Sequence, residues 1–235
     1  MSKELIVRDF VFDGAMIPPA IASVTHGPWA GKITKTAGSP TISNVSGGGI
    51  ALALDNANEV QNLCLSFGDI LSYPISKLVS IEFWAFLTAS LASQVSAFVG
   101  VGSARNDDPG AITTYAGFRA KGSNAIVCES DDNTTSIVDI ATGQSLAATP
   151  VRLKIGFQEE VTPVSLGLSK GGLSAIQFFM TDAGGRLRRV ATNQIFNMGA
   201  ASGNVQPIIQ IQKTSSTAVG TLTLKRARVM LNEDV

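Results

Sequence analysis

Histidine is almost absent from this 235-residue chain: His26 is the only one, in a loop before Gly27-Pro28. A Ser-His-Asp or Cys-His catalytic arrangement would have to run through it, and no glycine-flanked serine stands between a strand and a helix as its nucleophile. Cysteine is nearly as scarce. Cys64 and Cys128 sit far apart in apolar runs, without metal-type spacing, and read as buried free thiols rather than a disulfide. Charged residues make up only 15% of the chain, and the 18 basic side chains equal the 18 acidic ones. A nucleic-acid binder ordinarily carries a clustered basic excess, so no nucleic-acid partner is expected. No run reaches the roughly 18 to 20 apolar residues of a membrane span, so no membrane partner is expected either. The opening Met1-Ser2-Lys3-Glu4-Leu5-Ile6-Val7-Arg8 lacks the apolar core of a signal peptide, which implies a protein made for the cytoplasm.

What is present is strand after strand. The densest aromatic and β-branched run is Ile81-Glu82-Phe83-Trp84-Ala85-Phe86-Leu87, bounded by Ser80 and Thr88 and too short for an ordinary helix. Alternation puts Ile81, Phe83, Ala85 and Leu87 on one face and Glu82, Trp84 and Phe86 on the other. Both faces are largely apolar, which predicts a central strand covered on two sides, with Glu82 at the sheet's end or paired with an arginine. Val151 to Phe157 alternates cleanly, with Arg152 and Lys154 facing out. Thr181-Asp182-Ala183-Gly184-Gly185 marks a hairpin loop into Arg186-Leu187-Arg188-Arg189-Val190. On the order of 12 to 14 short strands with regular turn signals, and no amphipathic helix, predict an all-β antiparallel sandwich or barrel.

Residues 1–22 read as an N-terminal strand and arm, followed by a single β-sandwich domain over 23–235. The strand carries Leu5, Val7, Phe10 and Phe12, and the arm carries Ile17-Pro18-Pro19, whose prolines exclude central pairing. The segment either reaches a neighbouring subunit or packs along its own domain. Arg186 with Arg188, and Arg226 with Arg228, make two basic strand faces. These are solvated, or they contact an acidic partner protein.

Several patterns look like chemistry and lack its parts. Gly47-Gly48-Gly49 has no Gly-Lys-Ser/Thr ending and reads as a tight turn. Asp107-Asp108 and Asp131-Asp132 match no calcium loop and read as solvated turns. Glu82 and Glu129 are the strand-borne glutamates that a glycoside hydrolase would need, but their separation matches no one-strand acid pair. No catalytic, cofactor-binding or metal-ligating residue is assigned, and the chain is expected not to be an enzyme.

The Ile81-Glu82-Phe83-Trp84-Ala85 strand resembles the corresponding strand of concanavalin A-like and laminin-G-like sandwiches. The Leu153-Lys154-Ile155 strand, Ile176-Gln177-Phe178-Phe179 and the Asp182-Ala183-Gly184-Gly185 turn resemble a later unit of the same domains. This implies an antiparallel β-sandwich, jelly-roll or concanavalin A-like, and raises a lectin-like carbohydrate-binding module, with Trp29 or Tyr115 as its aromatic platform. In composition the chain also resembles tailed-bacteriophage virion proteins. That resemblance implies a capsid decoration (cement) protein, or a tail or fibre component. Its partners would be the major capsid protein and neighbouring copies of itself in a dimer or trimer. The interface would lie on Leu5, Val7, Phe10, Phe12, Ile17, Pro18, Pro19, Arg186, Arg188, Arg226 and Arg228.

Overall fold

Period-two alternation of large apolar side chains needs a second layer to bury them, and two antiparallel sheets supply it. The computed structural model describes residues 3–12, 23–26, 28–70, 72–88, 90–158 and 172–234. Ile17, Pro18 and Pro19 lie outside them, as does the side chain of His26. The strands are β1 (Lys3–Val11), β2 (Ser23–His26), β3 (Trp29–Thr34), β4 (Thr41–Asn44), β5 (Ile50–Ala53) and β6 (Glu59–Ser66). Next come β7 (Tyr73–Pro74), β8 (Leu78–Leu87), β9 (Val95–Gly102), β10 (Tyr115–Lys121), β11 (Ala125–Asp131) and β12 (Ser136–Ser145). The chain then runs through β13 (Val151–Gly156), β14 (Gln177–Thr181), β15 (Leu187–Val190), β16 (Asn204–Ser216) and β17 (Thr221–Asp234).

The front sheet has the order β15-β14-β13-β8-β17-β5-β4, and β1 also pairs with β17. The back sheet has the order β12-β11-β10-β9-β16-β6-β3-β2, with β7 added on β16. The long β17 holds β5 beside Thr221 to Leu224 and β1 beside Arg226 to Asp234, so the first and last strands are neighbours.

The core lies between the sheets. Ile81, Phe83, Ala85 and Leu87 are fully buried, together with Val99, Val101 and Phe118 of the back sheet. Edge-on aromatic contacts tie the layers at two places. Phe118 of β10 meets Phe178 of β14 at 5.1 Å, and Phe178 meets Phe196 at 4.6 Å. Elsewhere Phe10 and Phe12 pack on Trp29 at 5.6 and 5.5 Å, and Trp29 on Phe67 at 4.8 Å. Each such pair adds about 1 kcal/mol beyond its buried area. Phe12 is therefore spent inside its own fold, and Phe10 is partly buried against the same core. Neither ring is a free partner surface.

Cys64 and Cys128 are both free and buried, on opposite faces of the back sheet. Cys128 belongs to the inter-sheet core. Cys64 lies on the outer face with Phe98, Ile112, Tyr115 and Ile208. That second cluster exists because the Phe98 ring lies against Gly100 and Gly117, where a Cβ would come within 3 Å of it.

Candidate functional site

The outer face of the front sheet carries charge around one indole. On antiparallel strands, directly opposed residues share a face. Trp84 of β8 is opposed by Arg152 of β13 and Arg226 of β17, and Glu82 by Lys154 and Arg228. The face that was expected to be covered by another layer is covered by cationic side chains instead. Trp84 is half-buried, with the guanidiniums of Arg226, Arg152 and Arg228 at 4.8, 5.3 and 5.8 Å from its ring centre. Such cation–π contacts cover the ring without a third layer.

Glu82 is almost completely buried and is held by Arg152 through a two-pronged contact, Nη2 to Oε1 at 2.7 Å and Nε to Oε2 at 3.2 Å. Lys154 and Arg228 stand 3.7 and 4.0 Å away. One strand further, Asp9 of β1 lies opposite Arg228. It accepts from Arg226 Nε at 2.7 Å and Arg228 Nη2 at 3.0 Å. The hydrogen bond from Arg226 holds the Asp9 carboxyl down to a pKa of about 2.

Beside Trp84 opens a groove of about 950 Å³, lined by Trp84, Pro150, Val11, Lys225, Arg226, Phe12, Asn44 and the turn 45–48. Gly47, Gly48 and Gly49 all take positive φ, at 80°, 84° and 115°, so the triple glycine is the tight turn its sequence suggests. Lys225 is the extra residue at a register shift of β17 between Leu224 and Arg226. Its Nζ donates to the carbonyls of Gly47, at 3.0 Å, and Gly48, which fixes the turn against the strand.

The residues singled out in the sequence scatter. Leu5, Val7 and Val11 project from the same outer face, about half exposed. Arg226 and Arg228 belong to the indole cluster. Arg188 lies opposite Met180 on the edge strand β15, where it pairs with Asp182, and Arg186 precedes that strand. The two basic pairs form no common patch. The proposed aromatic platforms also fail, because Trp29 and Tyr115 are buried at 2% and 1% exposure. Sequence reading missed Trp84, Lys225 and Pro150 as site residues. The parity that sets Arg152 outward on the neighbouring strand was the available signal for Trp84.

Glu129 occupies the opposite outer face of the molecule. It is fully buried on the back sheet, with Lys121 at 2.7 Å and Arg119 at 3.4 Å, and these reach Asp139 and Asp108 in turn. Glu82 and Glu129 are therefore on different sheets, facing away from each other, and cannot act as a carboxylate pair across one glycosidic bond. Of the acidic turns, Asp107-Asp108 is exposed as expected, and Asp131-Asp132 differs. Asp132 is buried and accepts from the backbone N–H groups of Thr134, Thr135 and Ala200, so it organises its loop rather than facing solvent. Among the described residues no group of three His, Cys, Asp or Glu side chains could hold a metal ion.

No protein-family model matches the chain, and no curated protein matches it in sequence. Solved structures do resemble it in fold. The catalytic domain of an endo-1,3-β-glucanase (laminarinase) from Thermotoga petrophila is similar with a TM-score of 0.56 at 11% identity, over 99% of this chain and 98% of that one. Peanut lectin gives 0.56 at 10% identity over 99% and 100%. A β-glucanase from Bacillus licheniformis gives 0.53 at 11% identity over 94% and 97%. At these identities the likeness establishes the fold, a concanavalin A-like β-sandwich. It also corrects one expectation. Lack of a familiar catalytic pattern implied a chain that is not an enzyme, yet the shared sandwich is a scaffold of glucanases as well as lectins, so enzymatic activity is open to it.

Proposed function

We propose that this chain binds carbohydrate, in the groove beside Trp84. The observation that carries the reading is a half-buried indole at the side of an open groove of about 950 Å³, a size at the upper end of ordinary ligand sites. A sugar ring has an apolar C–H face that packs on an aromatic ring and a rim of hydroxyls that needs polar partners. Trp84 and Pro150 supply the first, and Arg226 with the backbone of the glycine turn the second. The fold likeness to a lectin and to glucanases makes β-glucans the natural first probes. A virion decoration role, with a coat protein and further copies of this chain as partners, keeps only a resemblance in composition behind it.

Tryptophan emission tests the reading directly, because Trp29 is buried and Trp84 is the indole that a ligand can touch. A panel of neutral and acidic oligosaccharides is titrated against the full chain, with Trp84→Ala as the control. Saturable change that disappears in the variant supports the site. No change in emission or in heat with any member of the panel sinks it.

A further inference from the structure

We infer that the groove selects acidic glycans, chains whose sugars carry carboxylates, over neutral ones. This rests on the carbohydrate reading above and adds the substrate class. The argument is one of charge. Four cationic side chains stand around Trp84 and its groove, Lys225 and Arg226 in the lining and Arg152 and Arg228 behind it, and among the described residues the carboxylates that face them are two, Glu82 and Asp9. Asp9 is shared between Arg226 and Arg228, so one negative charge holds two guanidiniums together. Among the described residues no carboxylate lies within 4.0 Å of Lys225, whose ammonium meets only the carbonyls of Gly47 and Gly48. The groove therefore carries uncompensated positive charge on a chain whose net charge is zero.

A neutral sugar would leave that excess in place. A carboxylate brought in by the ligand would meet the ammonium of Lys225 and Nη1 of Arg226, the guanidinium nitrogen that Asp9 does not engage. The aromatic and cationic elements stand at the spacing of one sugar. Trp84, Pro150, Arg226 and Lys225 line the same groove, so a pyranose held between Pro150 and the side of the indole that the arginines leave open brings a carboxylate on its rim toward Arg226 and Lys225. The same field would speed encounter with a polyanionic chain.

The test is calorimetric titration of the full chain with three probes: a hexameric oligogalacturonate, its methyl ester, and a neutral β-1,3-glucan hexamer. The acid is expected to bind roughly tenfold or more tightly than its ester. The advantage should shrink as salt rises toward about 0.5 M, because exposed charges are screened. Lys225→Gln should reduce it, and Arg188→Gln, on the far edge strand, should not. Thermal unfolding of each variant separates a lost contact from a lost fold, and the acid–ester comparison needs no variant at all. Equal binding of acid and ester, with the glucan also bound, overturns charge selection and leaves the glycan site standing. Failure of all three to bind overturns the carbohydrate reading, and this inference with it.

Discussion

Asp9 and Arg226 are joined across 217 positions of sequence by a hydrogen bond of 2.7 Å from Nε to Oδ1, so the first and last strands are locked on the face that carries Trp84. The lock depends on the charge of Asp9. Its pKa is held at about 2 in the folded chain against an ordinary 3.8, mainly by Arg226. A carboxyl with a depressed folded pKa stabilises the fold fully above its unfolded pKa, and that contribution is lost as pH falls through the folded one. The window is therefore about pH 4 down to about 2. Asp9→Asn should be less stable than the parent at pH 7, and the gap should close across that window. Denaturant midpoints measured from pH 7 to pH 2 check it; a gap independent of pH would show that the charge does not hold β1.

The two thiols give a second test. Burial pushes the Cys64 thiol up to about 12 and raises that of Cys128 as well. The thiolate is the reactive form, so both should resist an aromatic disulfide reagent at pH 8 and react together on addition of denaturant. They should also form no disulfide with each other in the folded state, because they occupy opposite faces of one sheet. Fast labelling of either thiol without denaturant would contradict that placement.

Backbone packing on the back sheet gives a third. A Cβ added at Gly100 would lie 2.3 Å from the carbonyl oxygen of Ala116 and 2.6 Å from Cα of Gly117, both on the paired strand β10. Backbone cannot rotate aside as a side-chain tip can. Gly100→Ala should cost about 2 to 3 kcal/mol, toward the upper end of ordinary overpacking. Gly143→Ala, where nothing stands within 4 Å but φ is +70°, should cost about 1 kcal/mol from conformation alone. Urea unfolding of the two variants ranks them, and the reverse order would contradict the strand contact.

The sandwich was legible because its signals are local. Alternation in Ile81 to Leu87 and in Val151 to Phe157 reports burial directly, and both segments are strands with the expected inward faces. The site was not legible, because it depends on register between strands distant in sequence. Trp84 looked like a core residue until Arg152 and Arg226 came to stand opposite it. Lys213 shows the same limit. It follows Ile209 and Ile211 on the core-facing side of β16, and it is buried because its ammonium reaches the carbonyls of Asp55, at 2.5 Å, and Ala57, at 2.7 Å. Nothing in the pattern around Lys213 announces two carbonyls more than 150 positions away. Glu82 is the intermediate case: its need for a cationic partner followed from burial, and register supplied Arg152.

That pairing carries the fourth prediction. Glu82 is buried, and its two oxygens meet the fork of Arg152 at 2.7 and 3.2 Å, with Lys154 and Arg228 close behind. Removing one partner of such a pair leaves the other charge without compensation, which ordinarily costs about 3 to 5 kcal/mol when both are buried. Arg152 is about one-third exposed and can turn toward water, so Glu82→Ala should cost less, about 2 to 3 kcal/mol. Arg152→Ala should be milder still, because Lys154 and Arg228 continue to face the carboxylate. A double-mutant cycle on Glu82 and Arg152 should return a coupling of about 1 to 2 kcal/mol. Zero coupling would mean that the pair is a crossing of two side chains rather than an interaction, and that the cationic cage around Trp84 is held by its own stacking and by Asp9.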